Sequence, residues 1–133
     1  MARFKLGSRA VYASYFERIT GTETLKRGDS GKCLLLDSSD AAVALTLPAA
    51  SGNAGWKIKI KVKDSTNAST IAAQAAILVG GIGADTGGYI SMAGTTITMT
   101  TDAVQGDEIC IECDGTNYYV TGLTGHATGF TVA

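Results

Sequence analysis

The stretch GWKIKIKVKD, residues 55–64, places a lysine at every second position. Side chains of a β-strand alternate between its two faces, so this spacing separates basic from apolar residues. The basic face carries the lysine row, which comprises Lys57, Lys59, Lys61 and Lys63. The opposite face carries Trp56, Ile58, Ile60 and Val62. We therefore predict a strand whose apolar residues enter a core and whose lysines face outward.

Three interpretations of the lysine row are open. In the first, the lysine row is a solvated strand face, on which lysine also discourages edge-to-edge pairing. In the second, the lysine row forms cross-strand ion pairs, because GDEICIECD (106–114) also alternates and puts Glu108 and Glu112 on one face. Each such pair contributes roughly 0.2–1 kcal/mol. In the third, the lysine row binds nucleic acid, a role that requires exposed aromatic residues and a strongly positive domain. Trp56 falls on the apolar face and residues 28–133 carry a net charge of −5, so we predict no nucleic-acid partner.

The same alternating pattern continues along the chain. Short runs rich in β-branched residues are separated by Gly, Ser, Asn and Asp, and the single proline, Pro48, closes one of them. These runs cover residues 32–36, 43–47, 57–63, 69–73, 76–79, 95–100, 107–113, 117–121 and 129–132. Such spacing indicates a sandwich or barrel. We predict an all-β protein with a single antiparallel, jelly-roll-like β-sandwich or barrel domain at residues 25–133.

Bulk composition excludes several classes of protein. A length of 133 residues suits one domain, and 45% hydrophobic with 17% charged residues excludes disorder. No apolar run approaches the roughly 18 residues that a membrane helix requires, so we expect no membrane association. The first residues contain no uninterrupted apolar stretch of the secretory type. Three cysteines without such a signal predict no disulfide framework.

Residues 1–24 differ from the remainder of the chain. Residues 1–27 hold six basic and two acidic residues, a net charge of +4, and several aromatic residues. Helical spacing of Val11, Tyr15 and Arg18, or of Tyr12, Phe16 and Ile19, permits one short helix. We predict an extended N-terminal arm, residues 1–24, that docks on a neighbouring subunit; an N-terminal strand packed on its own domain is the alternative. The predicted contact residues are Arg3, Phe4, Lys5, Arg9, Tyr12, Tyr15, Phe16 and Arg18.

Candidate sites for chemistry are few. Cys110 and Cys113, with Cys33 and His126, could supply four zinc ligands, but positions 110 and 113 of a strand point to opposite faces. The glycine-rich stretch 81–87 is similar to a dinucleotide-binding turn, yet no helix follows it, and we predict a flexible loop. No nucleophile accompanies His126. We therefore expect no enzyme, no metal and no cofactor.

Three segments together resemble small β-rich virion proteins of tailed bacteriophages. They are GTETLKRGDSGKCLLLDSS (21–39), VALTLPAASGNAGWKIKI (43–60) and GDEICIECDGTNYYVTG (106–122), in this order. In that family a T-L…D-S-G-K segment leads to an alternating strand that ends in L-P, and a G-D…D-G-T-N-W-Y-V hairpin lies near the C-terminus. Tyr118 stands where tryptophan is common. The resemblance covers residues 21–122 and does not reach residues 1–20.

The resemblance implies a structural role in the virion. Its members include capsid decoration (cement) proteins, which are trimers on the outer capsid surface that bind between major capsid protein subunits, and parts of tail fibres. We expect the decoration role, with the major capsid protein and two further copies of this chain as partners. The alternative is a tail-fibre module that binds a host receptor or glycan through the segment Gly80–Gly88. Residues with a structural role are Trp56, Ile58, Ile60, Val62, Tyr118 and Tyr119.

Overall fold

The computed structural model describes residues 16–133, and these residues form β-strands, turns and two single-turn 3-10 helices. The strands are β1 (Phe16–Ile19), β2 (Glu23–Thr24), β3 (Cys33–Asp37), β4 (Ala44–Thr46), β5 (Lys57–Asp64), β6 (Ser69–Ala72), β7 (Leu78–Ala84), β8 (Tyr89–Gly94), β9 (Thr96–Met99), β10 (Glu108–Cys113), β11 (Tyr118–Thr124) and β12 (Phe130–Val132). The 3-10 helices are Arg27–Asp29 and Asp85–Gly87. The predicted all-β class is confirmed.

Two sheets pack face to face around one apolar core. The larger sheet has the strand order β1-β3-β5-β10-β11-β7-β8, and the smaller has the order β12-β9-β6-β4-β2. Leu34, Ile60 and Ile111 from the larger sheet and Ile71 and Ile97 from the smaller are fully or almost fully buried in the same cluster. This arrangement is a β-sandwich.

The sheets are mixed, which corrects the prediction of an antiparallel domain. From β1 to β6 the chain alternates between the sheets, so that each pass adds one strand to the larger sheet and the next pass adds one to the smaller. Strands two apart in sequence are therefore parallel neighbours: β1 with β3, β3 with β5, β2 with β4 and β4 with β6. The second half is mostly antiparallel, except that β11 is parallel to β7.

The core positions follow the alternation of the sequence. Ile58, Ile60 and Val62 of β5 are buried together with Trp56, as their spacing predicts. Apolar burial stabilises such a strand by roughly 1.5–3 kcal/mol for each large side chain. The nine predicted strand segments all contain strands, although β7 extends further than its apolar run 76–79.

The sandwich begins before residue 25, which is the N-terminal boundary predicted for it. Residues 16–19 form β1, which pairs with β3, and residues 23–24 form β2, which pairs with β4. Ile19 joins the core, so Phe16–Ile19 is a strand and not the end of a helix. The burial of one face of β1 explains why this segment belongs to the sandwich.

Candidate functional site

The lysine row lies on the outer face of the larger sheet, where β5 runs between β3 and β10. Glu108 of β10 lies opposite Lys61, and its carboxylate is 3.1 Å from Lys61 Nζ and 3.9 Å from Lys59 Nζ. The hypothesis of acidic cross-strand partners is confirmed for Glu108. Since β5 has a neighbour on each side, the lysines do not protect a sheet edge.

A second charged cluster lies where β3 ends. The carboxylate of Asp37 is 2.6 Å from Arg18 and 3.7 Å from Lys63, and it accepts a hydrogen bond from the backbone of Ser39. The hydrogen bond from Ser39 and the Arg18 guanidinium hold the pKa of Asp37 at about 2. The ion pair between Arg18 and Asp37 therefore joins β1 to β3.

The opposite half of the same outer face carries no charge. We call the outward-facing side chains of β11, β7 and β8 the uncharged face. Two of its cross-strand rows are Leu123–Gly83–Tyr89 and Tyr119–Val79–Ala93. Tyr89 is 68% exposed, Leu123 is 67% exposed and Tyr119 is 49% exposed. Charged residues begin again at β10, where Glu108 lies opposite Leu123.

Two outward-facing glycines form the floor of the uncharged face. A Cβ added at Gly81 would lie 2.1 Å from Cζ of Tyr89, so the tyrosine ring occupies the space above that glycine. A Cβ added at Gly83 would lie 3.2 Å from Cδ2 of Leu123. The absence of side chains on this part of β7 lets both apolar neighbours cover its backbone.

Residues 81–84, which are part of the predicted flexible loop 81–87, form a strand instead. Residues 80–84 belong to β7, which pairs with β11 and β8, and Asp85–Gly87 forms a 3-10 helix between β7 and β8. Glycine has a low strand propensity, which hid this strand in the sequence. Pairing on both sides and the Tyr89 ring supply what the glycines lack.

The segments that carry the family resemblance meet at one end of the sandwich. Tyr118 is fully buried, and its hydroxyl donates a hydrogen bond to the carbonyl of Pro48. The Trp56 indole donates to the Lys26 carbonyl at 3.0 Å, and its ring meets the Tyr118 ring edge-on with centroids 6.0 Å apart. Burial raises the pKa of Tyr118. Tyr118 therefore packs as a buried aromatic residue against Trp56.

Tyr119 does not share this environment. It points to the outer face, where it is half-exposed, and the Asp114 carboxylate raises the pKa of its hydroxyl. Tyr119, for which we predicted a structural role, lies on the uncharged face. Tyr89 and Leu123 were not identified from the sequence, although the alternation of Tyr89, Ser91 and Ala93 with the buried Met92 was a usable signal.

The cysteines alternate as their strand position predicts. Cys113 is buried, and its Sγ lies 3.6 Å from the carbonyl of Ala50, whereas Cys110 faces outward opposite Lys59. Cys33 lies on the other side of Lys59, in β3. Within residues 16–133 no three His, Cys, Asp or Glu side chains are grouped so as to hold a metal ion.

Asp107 and His126 have local structural contacts. Asp107 accepts hydrogen bonds from the backbone of Val104 at 2.9 Å, from the backbone of Gly125 at 2.8 Å and from the Thr124 hydroxyl at 2.7 Å. His126 is exposed, and its Nδ1 is 2.9 Å from the Thr128 hydroxyl, which donates to Asp102. These contacts close the turns that flank β10 and β11.

Of the predicted arm residues, Phe16 and Arg18 lie on the edge strand β1, where Phe16 is half-exposed. Arg3, Phe4, Lys5, Arg9, Tyr12 and Tyr15 lie outside the residues that the structure describes. Among residues 16–133 no helix has the length and apolar character needed to cross a membrane.

Comparison of the chain with protein-family models gave no match, and comparisons with curated proteins and with solved structures gave none either.

Proposed function

We propose that this chain is a structural protein of a tailed-bacteriophage virion. It decorates the outer capsid surface as a homotrimer and stabilises the shell by binding between major capsid protein subunits. This role requires binding surfaces and a stable scaffold, and it requires no reaction. The segment 1–15 supplies the capsid contact, because it combines Arg3, Lys5 and Arg9 with the aromatic residues Phe4 and Tyr12.

The convergence of the three resembling segments is the observation that carries the proposal. As many as 45 residues lie between consecutive segments, from Ile60 to Gly106, yet Trp56 contacts both Lys26 and Tyr118, and Tyr118 contacts Pro48. The resemblance therefore concerns a packed structural unit, which favours a common architecture with the virion proteins.

Residues 1–15 are joined to the domain at β1. This strand is an edge of the larger sheet, and half-exposed Phe16 is its first residue. In a trimer, each copy would bind a separate capsid subunit weakly, and the first contact would raise the effective concentration for the other two. The trimer would therefore bind more tightly than one copy.

Co-sedimentation with undecorated phage capsids tests the proposal. Full-length protein should bind saturably, and a variant in which Arg3, Lys5 and Arg9 are all replaced by Gln should lose most binding. Lys59→Gln/Lys61→Gln is the matched control, because it removes two lysines from the sheet face and should bind like the full-length protein. Lack of binding by the full-length protein would refute the decoration role.

A deletion separates the capsid contact from folding. Removal of residues 2–15 leaves β1 intact, so the body should fold and fail to bind capsids. Removal of residues 2–20 also removes Ile19 from the core and Arg18 from Asp37, and should destabilise the fold. Equal thermal stability of both deletions would contradict the assignment of β1 to the domain.

The alternative, a tail-fibre module, would bind glycans through the outer face of β7 and β8 and the Asp85–Gly87 turn between them. Exposed Tyr89 and Tyr119 are the side chains suited to stack on a sugar. A glycan array with the full chain, with Tyr89→Ala beside it, tests this function: specific binding lost in the variant would favour the fibre.

A further inference from the structure

We propose that the uncharged face, together with the free edge of β8, is the surface on which another copy of this chain packs. The inference takes the number of copies, three, from the proposed function, and adds the location of the contact. It is an interface between chains and is separate from the capsid contact assigned to residues 1–15.

Exposed apolar side chains are concentrated on this face. Six large apolar residues are exposed among the residues that the structure describes, and three of them, Tyr89, Tyr119 and Leu123, lie on β8 and β11, on either side of β7. Single exposed apolar residues are ordinary, but a contiguous group of them marks an interaction surface. Tyrosine is moreover enriched at protein interfaces because it offers a large apolar area and a polar tip.

The distribution of charge selects this half of the sheet for contact with an identical chain. The half formed by β5 and β10 carries the lysine row, with Glu108 and Glu112. A contact there would remove lysine and glutamate side chains from water, and charges that stay unpaired in an interface cost free energy. The uncharged face carries no such cost.

The edge of β8 that faces away from β7 adds main-chain groups to the surface, except near Gly94, where Val132 and Ala133 lie against it. β8 is the last strand of the larger sheet and is hydrogen-bonded to β7. Its sequence, Tyr-Ile-Ser-Met-Ala-Gly, has none of the charged residues or prolines with which proteins guard exposed edges. The opposite edge, β1, carries Glu17 and Arg18. An unguarded edge beside an apolar face is suited to pair with another chain.

The Tyr89 side chain is positioned in advance of any contact. Its ring lies over Gly81, where even a methyl group would collide with it. A side chain that already packs on the backbone has less conformational entropy to lose on binding than one that extends freely into solvent. The glycines of β7 thus serve the interface by fixing its largest apolar group.

The exposed apolar area accounts for part of one interface. The three exposed side chains present on the order of 400 Å², about half of the ~800 Å² per partner that a stable interface buries. In a threefold ring each chain buries two surfaces, the uncharged face and the surface that receives the next copy. Pairing along β8 supplies further area.

Sedimentation equilibrium of the full chain over a range of concentrations tests the inference. The wild type should show three times the 13.6 kDa of one chain, whereas Leu123→Lys and Tyr89→Lys should each show a mass close to 13.6 kDa. Val104→Lys is the matched control, because Val104 is a half-exposed apolar residue in the turn between β9 and β10 and should leave the assembly intact. Circular dichroism should show that all four proteins are folded, since Leu123 and Tyr89 are two-thirds exposed.

Two results would overturn the inference. One is a monomeric wild type at every concentration, which would mean that the face is covered by residues 1–15 of the same chain or binds a different ligand. The other is an assembled mass for both lysine variants. Capsid binding is measured separately. If the wild type assembles, Leu123→Lys dissociates it and the wild type binds no capsids, the result supports this inference and opposes the decoration role. A monomeric wild type that binds capsids opposes this inference and supports the decoration role.

Discussion

The ring of Trp56 meets the ring of Tyr118 edge-on, 6.0 Å away, and each side chain also donates a hydrogen bond to a backbone carbonyl. Trp56 donates to Lys26 and Tyr118 donates to Pro48, so the pair links β5 and β11 to the connections that precede β3 and follow β4. Aromatic pairs of this geometry contribute roughly 0.5–1.5 kcal/mol beyond the burial of their area. The contact ties both halves of the chain together.

Replacing Tyr118 by Phe should lower the free energy of unfolding by about 1–3 kcal/mol. The ring packing is kept, but the buried carbonyl of Pro48 loses its donor. Tyr119→Phe is the matched control, because its hydroxyl is at the surface beside Asp114, and we expect a change within ~0.5 kcal/mol. Urea unfolding of both variants measures the difference. Equal losses would show that the Tyr118 hydroxyl has no special role.

Acid should destabilise the protein through Asp37. Its pKa is held at about 2 in the folded chain, below the ~3.9 of an unfolded aspartate, so the unfolded state takes up the proton first. The stability that this carboxylate contributes is therefore present above about pH 4 and is lost as the pH falls towards 2. Asp37→Asn should lessen the fall in stability over this range, measured as urea midpoints at several pH values.

Asp40→Asn serves as the control for that series. Asp40 is exposed in the turn after β3, and within residues 16–133 it forms no ion pair. Its replacement should leave the pH dependence as in the wild type. An unchanged pH profile in the Asp37 variant would contradict the assigned role of the Arg18–Asp37 contact.

The ion pair between Lys61 and Glu108 should be weak. Both side chains are partly exposed, and pairs of this kind contribute roughly 0.2–1 kcal/mol. A double-mutant cycle with Lys61→Gln and Glu108→Gln should give a coupling free energy in that range, and the coupling should fall as salt is added. A coupling several times larger, insensitive to salt, would indicate that the lysine row is a principal source of stability.

Replacing Gly81 by Ala should displace the Tyr89 ring. The added Cβ would lie 2.1 Å from the ring, which can rotate away at the surface, so the loss of stability should be about 1 kcal/mol or less. Gly83→Ala is the control, since its Cβ would be 3.2 Å from the flexible end of Leu123. NMR contacts between the Tyr89 ring and β7 report the displacement. An unchanged ring position in Gly81→Ala would be incompatible with the geometry described.

The position of each strand was largely predictable, and the pairing of strands was not. Lys61 and Ile60 differ in environment because neighbouring residues of a strand face opposite ways, and this difference is visible in ten residues of sequence. The parallel pairing of β3 with β5 depends on the chain crossing to the other sheet at β4. No local pattern records which sheet a strand joins.

The missed features share a physical cause. Gly81 and Gly83 have little intrinsic tendency to form strands, and β7 exists because β11 and β8 pair with it on both sides. β1 has only four residues, whose spacing also fits a helix, and it is a strand because Ile19 reaches the core beside β3. In both segments a tertiary contact outweighs local preference.

The amino-acid sequence by itself determined the β class, the apolar face of β5 and the burial of Trp56, because a period of two residues is a local property of an extended chain. Only the tertiary structure decided which strands are neighbours, that Lys61 meets Glu108, and that Tyr89, Tyr119 and Leu123 share one uncharged face. These residues are brought together by the order of strands in the sheet, and that order is set by packing of the two sheets over the whole core.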